Sequence, residues 1–197
     1  MPELTPELLL LAYRHGIFPM AEPEEQDAIY WFAPDPRTIM PLHDFHVPKS
    51  LLRTIRTGKF DVVLNKDFEQ VMRHCARPRP NSPGTWISEE LIEAYTNLHR
   101  LGFAHSVECW YQDELAGGLY GVAINGVFMG ESMFTLVRDA SKVALYHLVE
   151  HLKSRSFQLL DVQFSTDHLT RFGAVQIPRE EYETRLENAL QIETSFV

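Results

Sequence analysis

Residues 117–134, GGLYGVAINGVFMGESMF, restrict the fold more than any other stretch of the chain. Apolar residues alternate through Leu119, Gly121 and Ala123 and again through Val127 and Met129. Between the two runs, Asn125-Gly126 is a dipeptide that accepts the positive φ values of a type I′ turn, so the spacing predicts an antiparallel hairpin. The second strand runs out in Gly130-Glu131-Ser132-Met133, which sets a carboxyl group among apolar residues. A glutamate in that setting either ends a strand in water or is held in a pocket, since acids are rarely buried without a partner.

Upstream, Leu4 to His15 reads as a short amphipathic helix with Thr5 as N-cap, Pro6 in its first turn and Gly16 as its stop. Prolines at 19, 23, 34, 36 and 41 then forbid regular helix, so residues 17–42 read as extended pieces and turns. Within them Tyr30, Trp31 and Phe32 stand beside Pro-Asp-Pro-Arg. The group fits a core corner, and it also fits a stacking platform for a nucleobase with Arg37 near a phosphate or adenine. A helix at 49–58, a strand at 59–66, a helix at 67–76 capped by Asp67, a proline-rich connector RPRPNSPG and a helix from Ser88 to Gly102 follow. Residues 105–121 predict another hairpin, turning at Asp113-Glu114, which makes a meander of three strands ending at Glu131.

After the meander a helix is expected from Asp139 or Ala140 to Ser154, with Leu145, Leu148 and Leu152 on one face. QLLDVQFS is a short strand with Leu160, Val162 and Phe164 on one side and Asp161 and Gln163 on the other. On an exposed face that polar pair is ordinary; on the floor of a cleft it is a carboxylate and an amide able to handle or orient a proton. A short helix, a strand and a terminal helix close the chain.

The 197 residues, 45% of them apolar, are enough for one large domain or a domain with a small appendage. No run reaches the ~18 apolar residues of a membrane span, and acids precede the apolar patch at Leu8–Ala12, so no signal peptide is read and a cytoplasmic protein is expected. Cys75 and Cys109 sit in no metal-binding spacing, so reduced structural thiols and no metal site are expected. Net charge is −9, against a polyanionic partner, but residues 49–79 hold eight basic residues and three acids. Such a segment is either a solvated face or a local footprint for a phosphate backbone.

The order of mixed sheet, meander, packed helix and short polar strand resembles the N-acetyltransferase-like (GNAT) fold, an α+β architecture with a splayed mixed, mostly antiparallel sheet. The pyrophosphate loop of acetyl-CoA users is absent, and ESMFTLVRDASKVAL stands in its place, so the resemblance implies acyl transfer from another donor. The segments AYRHGIFPM, WFAPDPR, GTWIS, EAYTNLHRLGFAHSVECW, GGLYGV, GESMF, ASKVAL and LLDVQ, in this order and spacing, resemble the bacterial leucyl/phenylalanyl-tRNA protein transferase family from Thr5 to about Leu190. That resemblance implies a small N-terminal α/β domain over residues 1–44 and an acetyltransferase-like catalytic domain over 45–197. It implies transfer of Leu, Phe or, less, Met from aminoacyl-tRNA to proteins with N-terminal Arg or Lys, marking them for degradation. No cofactor is implied, and a monomer is the default.

Residue by residue, the resemblance implies that Glu131 holds the α-amino group of the aminoacyl moiety and that Asp161 and Gln163 assist peptide-bond formation. It implies a hydrophobic aminoacyl pocket at Leu119, Gly130, Ser132, Leu145, Leu148, Leu152 and Leu160, and contact of Trp31 and Trp86 with the tRNA 3′ end. The basic segment, through Arg53, Arg56 and Lys59, would hold the tRNA backbone. Phe32 stands where many members have a second tryptophan, Val162 where a cysteine is common, and Leu119 and Leu148 where some have bulkier residues. The reaction implied is aminolysis of an ester, with Asp161 acting on the amine proton directly or through Gln163. An acyl-CoA transferase and a non-catalytic tRNA- or peptide-binding module are the alternatives.

Overall fold

A computed structural model describes residues 4–78 and 84–197, so Arg79 of the basic segment and the rest of the connector at 79–83 lie outside the described residues. Helix α1 (Pro6–Arg14) starts on Thr5, whose hydroxyl accepts from the Leu8 N–H at 3.3 Å. The proline-rich segment then supplies β1 (Phe18–Glu22), β2 (Ala28–Phe32) and β3 (Arg37–Ile39). There follow α2 (Lys49–Arg56), β4 (Asp61–Leu64), α3 (Phe68–Cys75) and α4 (Glu89–Arg100), the last two capped by the Asp67 carboxylate and the Ser88 hydroxyl. The meander is β5 (Ala104–Tyr111), β6 (Glu114–Ile124) and β7 (Val127–Thr135). The chain closes with α5 (Ala140–Ser154), β8 (Leu159–Gln163), α6 (Asp167–Thr170), β9 (Val175–Ile177) and α7 (Arg179–Leu190).

β1 and β2 form their own antiparallel sheet, and the other strands form a mixed sheet in the order β4-β5-β6-β7-β8-β3-β9. Its one parallel pairing is β7 with β8, the mixed α+β sheet expected from the sequence. β3 precedes residue 44 yet pairs within the large sheet, against β8 and β9. Apolar side chains cover both sheet faces. Tyr120, Val122, Ile124, Val127 and Met129 share one apolar cluster with residues of α1, α3, α4 and α7, and Leu119, Ala123 and Phe128 share the other with residues of α2, α5 and α6. No helix among the described residues is long and apolar enough to cross a membrane.

Two turns differ from expectation. The β5–β6 turn falls one residue early, on Gln112 and Asp113, both with positive φ, because Tyr111 pairs with Glu114. At Asn125-Gly126 only Asn125 takes a positive φ, of 51°, so the turn is not of type I′. Gly126 serves close approach instead: its N–H donates to the Ala189 carbonyl at 3.0 Å, and an added Cβ would lie 2.7 Å from that oxygen.

Candidate active site

Strands β7 and β8 pair only over Val127–Met129 and Leu159–Asp161, then part. The gap is a cavity of about 570 Å³. Its apolar wall carries Leu119 of β6, Leu145 and Leu148 of α5, and Leu160 and Val162 of β8, with Phe18 and Met20 of β1 and Phe164 completing it. Gly130, Glu131 and Ser132 of β7, Gln163 and Trp86 also face it. The helical stripe that reads as core is therefore cavity wall at Leu145 and Leu148, while Leu152 is fully buried in the core and is not among the lining residues.

Bulges aim the polar groups on both sides of the gap. Gly121 pairs with Gly130 and Tyr120 with Ser132, which leaves Glu131 as the extra residue on β7. Thr38 pairs with Gln163 and Ile39 with Asp161, which leaves Val162 extra on β8. An extra residue bends the strand and redirects a side chain. Gly121 lets the first bulge form: a Cβ there would lie 2.2 Å from the Met129 carbonyl oxygen and 2.4 Å from the Phe128 ring. Gly121→Ala is therefore expected to lower unfolding free energy by roughly 1–3 kcal/mol, read as a fall in the urea midpoint.

Glu131 accepts from Gln163 Nε2 at 3.1 Å. Burial pushes its carboxyl up to about 8; hydrogen bonds from Tyr13 and Tyr95 and the charge of Arg37 pull it down, and the Asp161 carboxylate pushes the same way as burial. Tyr13 and Tyr95 are hydrogen-bonded to each other through their hydroxyls, and the hydroxyl of buried Tyr120 has no hydrogen-bond partner among the described residues. Of the two possibilities left open for Glu131, the structure selects the pocket.

Asp161 is fully buried and is not among the cavity-lining residues. Its Oδ1 accepts from Arg37 Nε and from the Gln163 N–H, both at 2.9 Å, and its Oδ2 from Arg37 Nη2 at 2.6 Å and the Tyr182 hydroxyl at 2.9 Å. Four donors fill the roughly four lone-pair sites of a carboxylate, leaving none to accept another proton donor. Asp161 and Gln163 thus do not converge side chain to side chain; the link is carboxylate to backbone, and the Gln163 amide turns away to Glu131. Arg37, considered for a phosphate, is only 2% exposed and is spent on Asp161 and on the Gly16 carbonyl.

Trp86 lines both the main cavity and a neighbouring one of about 290 Å³ that also meets Phe32 and Arg77. Trp31 is partly exposed on β2, outside both linings. Arg53 and Arg56 are exposed on α2 without an ion pair among the described residues, Lys59 lies over the rings of Phe60 and Tyr111, and Arg73 is engaged by Glu69 and Glu89. No group of three or more His, Cys, Asp or Glu among the described residues could hold a metal ion. Sequence reasoning missed Tyr13, Tyr95 and Tyr182, which lie on helices and meet Glu131 and Asp161 only through the fold, with no local signal that ties them to those carboxyls.

Two family models match the chain: "Leucyl/phenylalanyl-tRNA protein transferase" over residues 39–187 and the N-terminal domain of that family over residues 2–35. A leucyl/phenylalanyl-tRNA–protein transferase of Gloeobacter violaceus is 53% identical over 193 residues, covering 98% of this chain and 97% of that one. One from Nitrobacter winogradskyi is 50% identical over 194 residues, covering 98% and 86%. Among solved structures, L-PGS from Bacillus licheniformis aligns with a TM-score of 0.42 and 14% identity over 83% of this chain and 52% of that one.

Proposed function

The chain belongs to the leucyl/phenylalanyl-tRNA protein transferase family and is an aminoacyltransferase, and we propose that its splayed cavity receives the side chain of the amino acid being transferred. The observation that carries this reading is an apolar cavity whose one carboxyl group among the described lining residues, Glu131, is placed to meet an α-ammonium. The walls formed by Leu119, Leu145, Leu148 and Leu160 suit Leu, Phe or Met, unbranched at Cβ. Rejection of Ile and Val would come from shape, which discriminates by about 1–3 kcal/mol. Trp86, with Trp31 exposed on the neighbouring sheet, would pack the tRNA 3′ end.

In the reaction the acceptor's α-amine, neutral, attacks the ester carbonyl; a C–N bond forms, the bond to the ribose oxygen breaks, and that oxygen leaves with the amine's proton. Glu131 holds the donor's ammonium, and the Gln163 amide orients the approaching amine. Asp161, its lone pairs filled, supports Gln163 and does not take the proton. Acceptors with N-terminal Arg or Lys fit the family and would be marked for degradation by the N-degron pathway, in the cytoplasm where charged tRNA is found. Monomeric action and a division of the chain near residue 44 complete the reading.

Labelled Leu and Phe offered on tRNA should appear on a peptide with N-terminal Arg and not on one with N-terminal Gly; label on neither would overturn the proposal. Arg53, Arg56 and Lys59 would meet phosphates of the acceptor stem. Neutralising all three is expected to weaken tRNA binding and to lower the slope of log affinity against log salt by about 3, measured by filter binding. An unchanged slope would remove the segment from the interface.

A further inference from the structure

The polar wall of the cavity depends on residues that do not line it. Gln163 has φ +55°, in the left-handed region, which an L side chain keeps only when its surroundings impose it. The Phe164 N–H donates back to the Val162 carbonyl at 2.7 Å, closing a three-residue turn around Gln163 in the rarer, strained hand. From behind, Asp161 Oδ1 accepts the Gln163 N–H, and the same carboxylate is held by Arg37 and Tyr182. Arg37 is fixed in turn. Its Nη1 donates to the Gly16 carbonyl at 2.9 Å, and its guanidinium lies 4.9 Å from the Phe18 ring centre and 4.6 Å from that of Tyr182. The end of α1 and the first turn of α7 therefore meet behind one strained residue.

We propose that Arg37 and Tyr182 are positioning residues for aminoacyl transfer: by fixing the Asp161 carboxylate they hold Gln163 in its left-handed turn and so set the direction of its side-chain amide. The proposal rests on the cavity being the aminoacyl site. Neither residue is among those that line it; the charge of Arg37 is felt at Glu131, but the hold on the Asp161 carboxylate reaches the substrate through Gln163. Tyr182→Phe is the smallest probe: it removes the hydroxyl that donates to Asp161 Oδ2 and keeps the ring against Arg37. Misdirection of a group at a reacting centre lowers rate steeply even when binding is kept.

The test is single-turnover transfer of labelled leucine from leucyl-tRNA to a peptide with N-terminal Arg, by wild type, Tyr182→Phe, Gln163→Ala and the double variant. Tyr182→Phe should lower the rate constant about tenfold, with half-saturation by leucyl-tRNA held within about twofold and the midpoint of the pH–rate profile unmoved. In the Gln163→Ala background the same substitution should change the rate by less than about twofold, since two residues acting through one group do not add. Arg37→Lys keeps the charge but loses the two-pronged grip on the carboxylate, and it should repeat the pattern, which keeps the test open if one variant folds poorly. An equal loss from Tyr182→Phe in both backgrounds, or no loss in the wild-type background, would overturn the positioning role. Absence of transfer by the wild type would instead overturn the assignment of the cavity.

Discussion

Glu131→Gln should lower kcat/KM for leucyl transfer about 100-fold, or roughly 3 kcal/mol, and should change the shape of the pH profile. In the free protein burial holds the Glu131 carboxyl at about 8, so at neutral pH the group is largely protonated. An α-ammonium needs the ionised form. Apparent affinity for leucyl-tRNA should therefore rise with pH through the region below about 8, until the ligand's own amine loses its proton, and binding at pH 7 should release a proton from Glu131. The glutamine variant has no such group and should show neither the rise nor the release. Stability runs the other way. A carboxyl raised in the folded state supports folding below the ordinary carboxylate range and loses that support as pH rises through about 8. Glu131→Gln should thus unfold at a higher temperature than wild type near pH 8.5, with the advantage shrinking toward pH 4. Calorimetry and a buffer series in binding experiments read both effects.

Arg37→Ala should be the most destabilising of the single substitutions at the site. It removes the two-pronged partner of a carboxylate that is fully buried, at 2% and 0% exposure for the pair. Leaving a buried charge without its partner costs about 3–5 kcal/mol, which for a chain of this size is a fall in Tm of roughly 10 °C. The packing of the guanidinium between Phe18 and Tyr182 is lost as well. Exchanging Arg37 and Asp161 together for apolar residues of similar size should be less damaging than Arg37→Ala alone, because no orphaned charge remains. A loss below 1 kcal/mol for Arg37→Ala, by urea unfolding, would contradict the role given to this pair.

The frame of the fold was legible because its signals are local. Thr5, Asp67 and Ser88 cap the helices where their types and spacing place them, and the three-stranded meander follows from alternation and turn residues. The site was legible only in part. Glu131 stood out as an acid in an apolar strand, but the bulge that aims it is a two-against-one register with Gly121 and Gly130, set by partners the strand cannot name for itself. Asp161 and Gln163 two residues apart read as a pair on one face; the left-handed turn at Gln163 breaks that alternation, and no residue type announces it. Arg37, beside an aromatic triplet, looked free for a phosphate. Its partner lies 124 positions away, and only the pairing of β3 with β8 brings them together. Likewise Leu145, Leu148 and Leu152 form one stripe in sequence, and the place where β7 and β8 part decides which of them are cavity wall.

If the cavity holds an aminoacyl group by its apolar side chain and its α-ammonium together, as proposed, transfer from leucyl-tRNA should far exceed transfer from N-acetyl-leucyl-tRNA, which has the same side chain and ester but no ammonium. Wild type should prefer the free amine about 100-fold and Glu131→Gln should show little preference, since a charged hydrogen bond worth about 3 kcal/mol separates them only where Glu131 is present. Equal transfer from both donors by the wild type, or an undiminished preference in Glu131→Gln, would contradict the proposal.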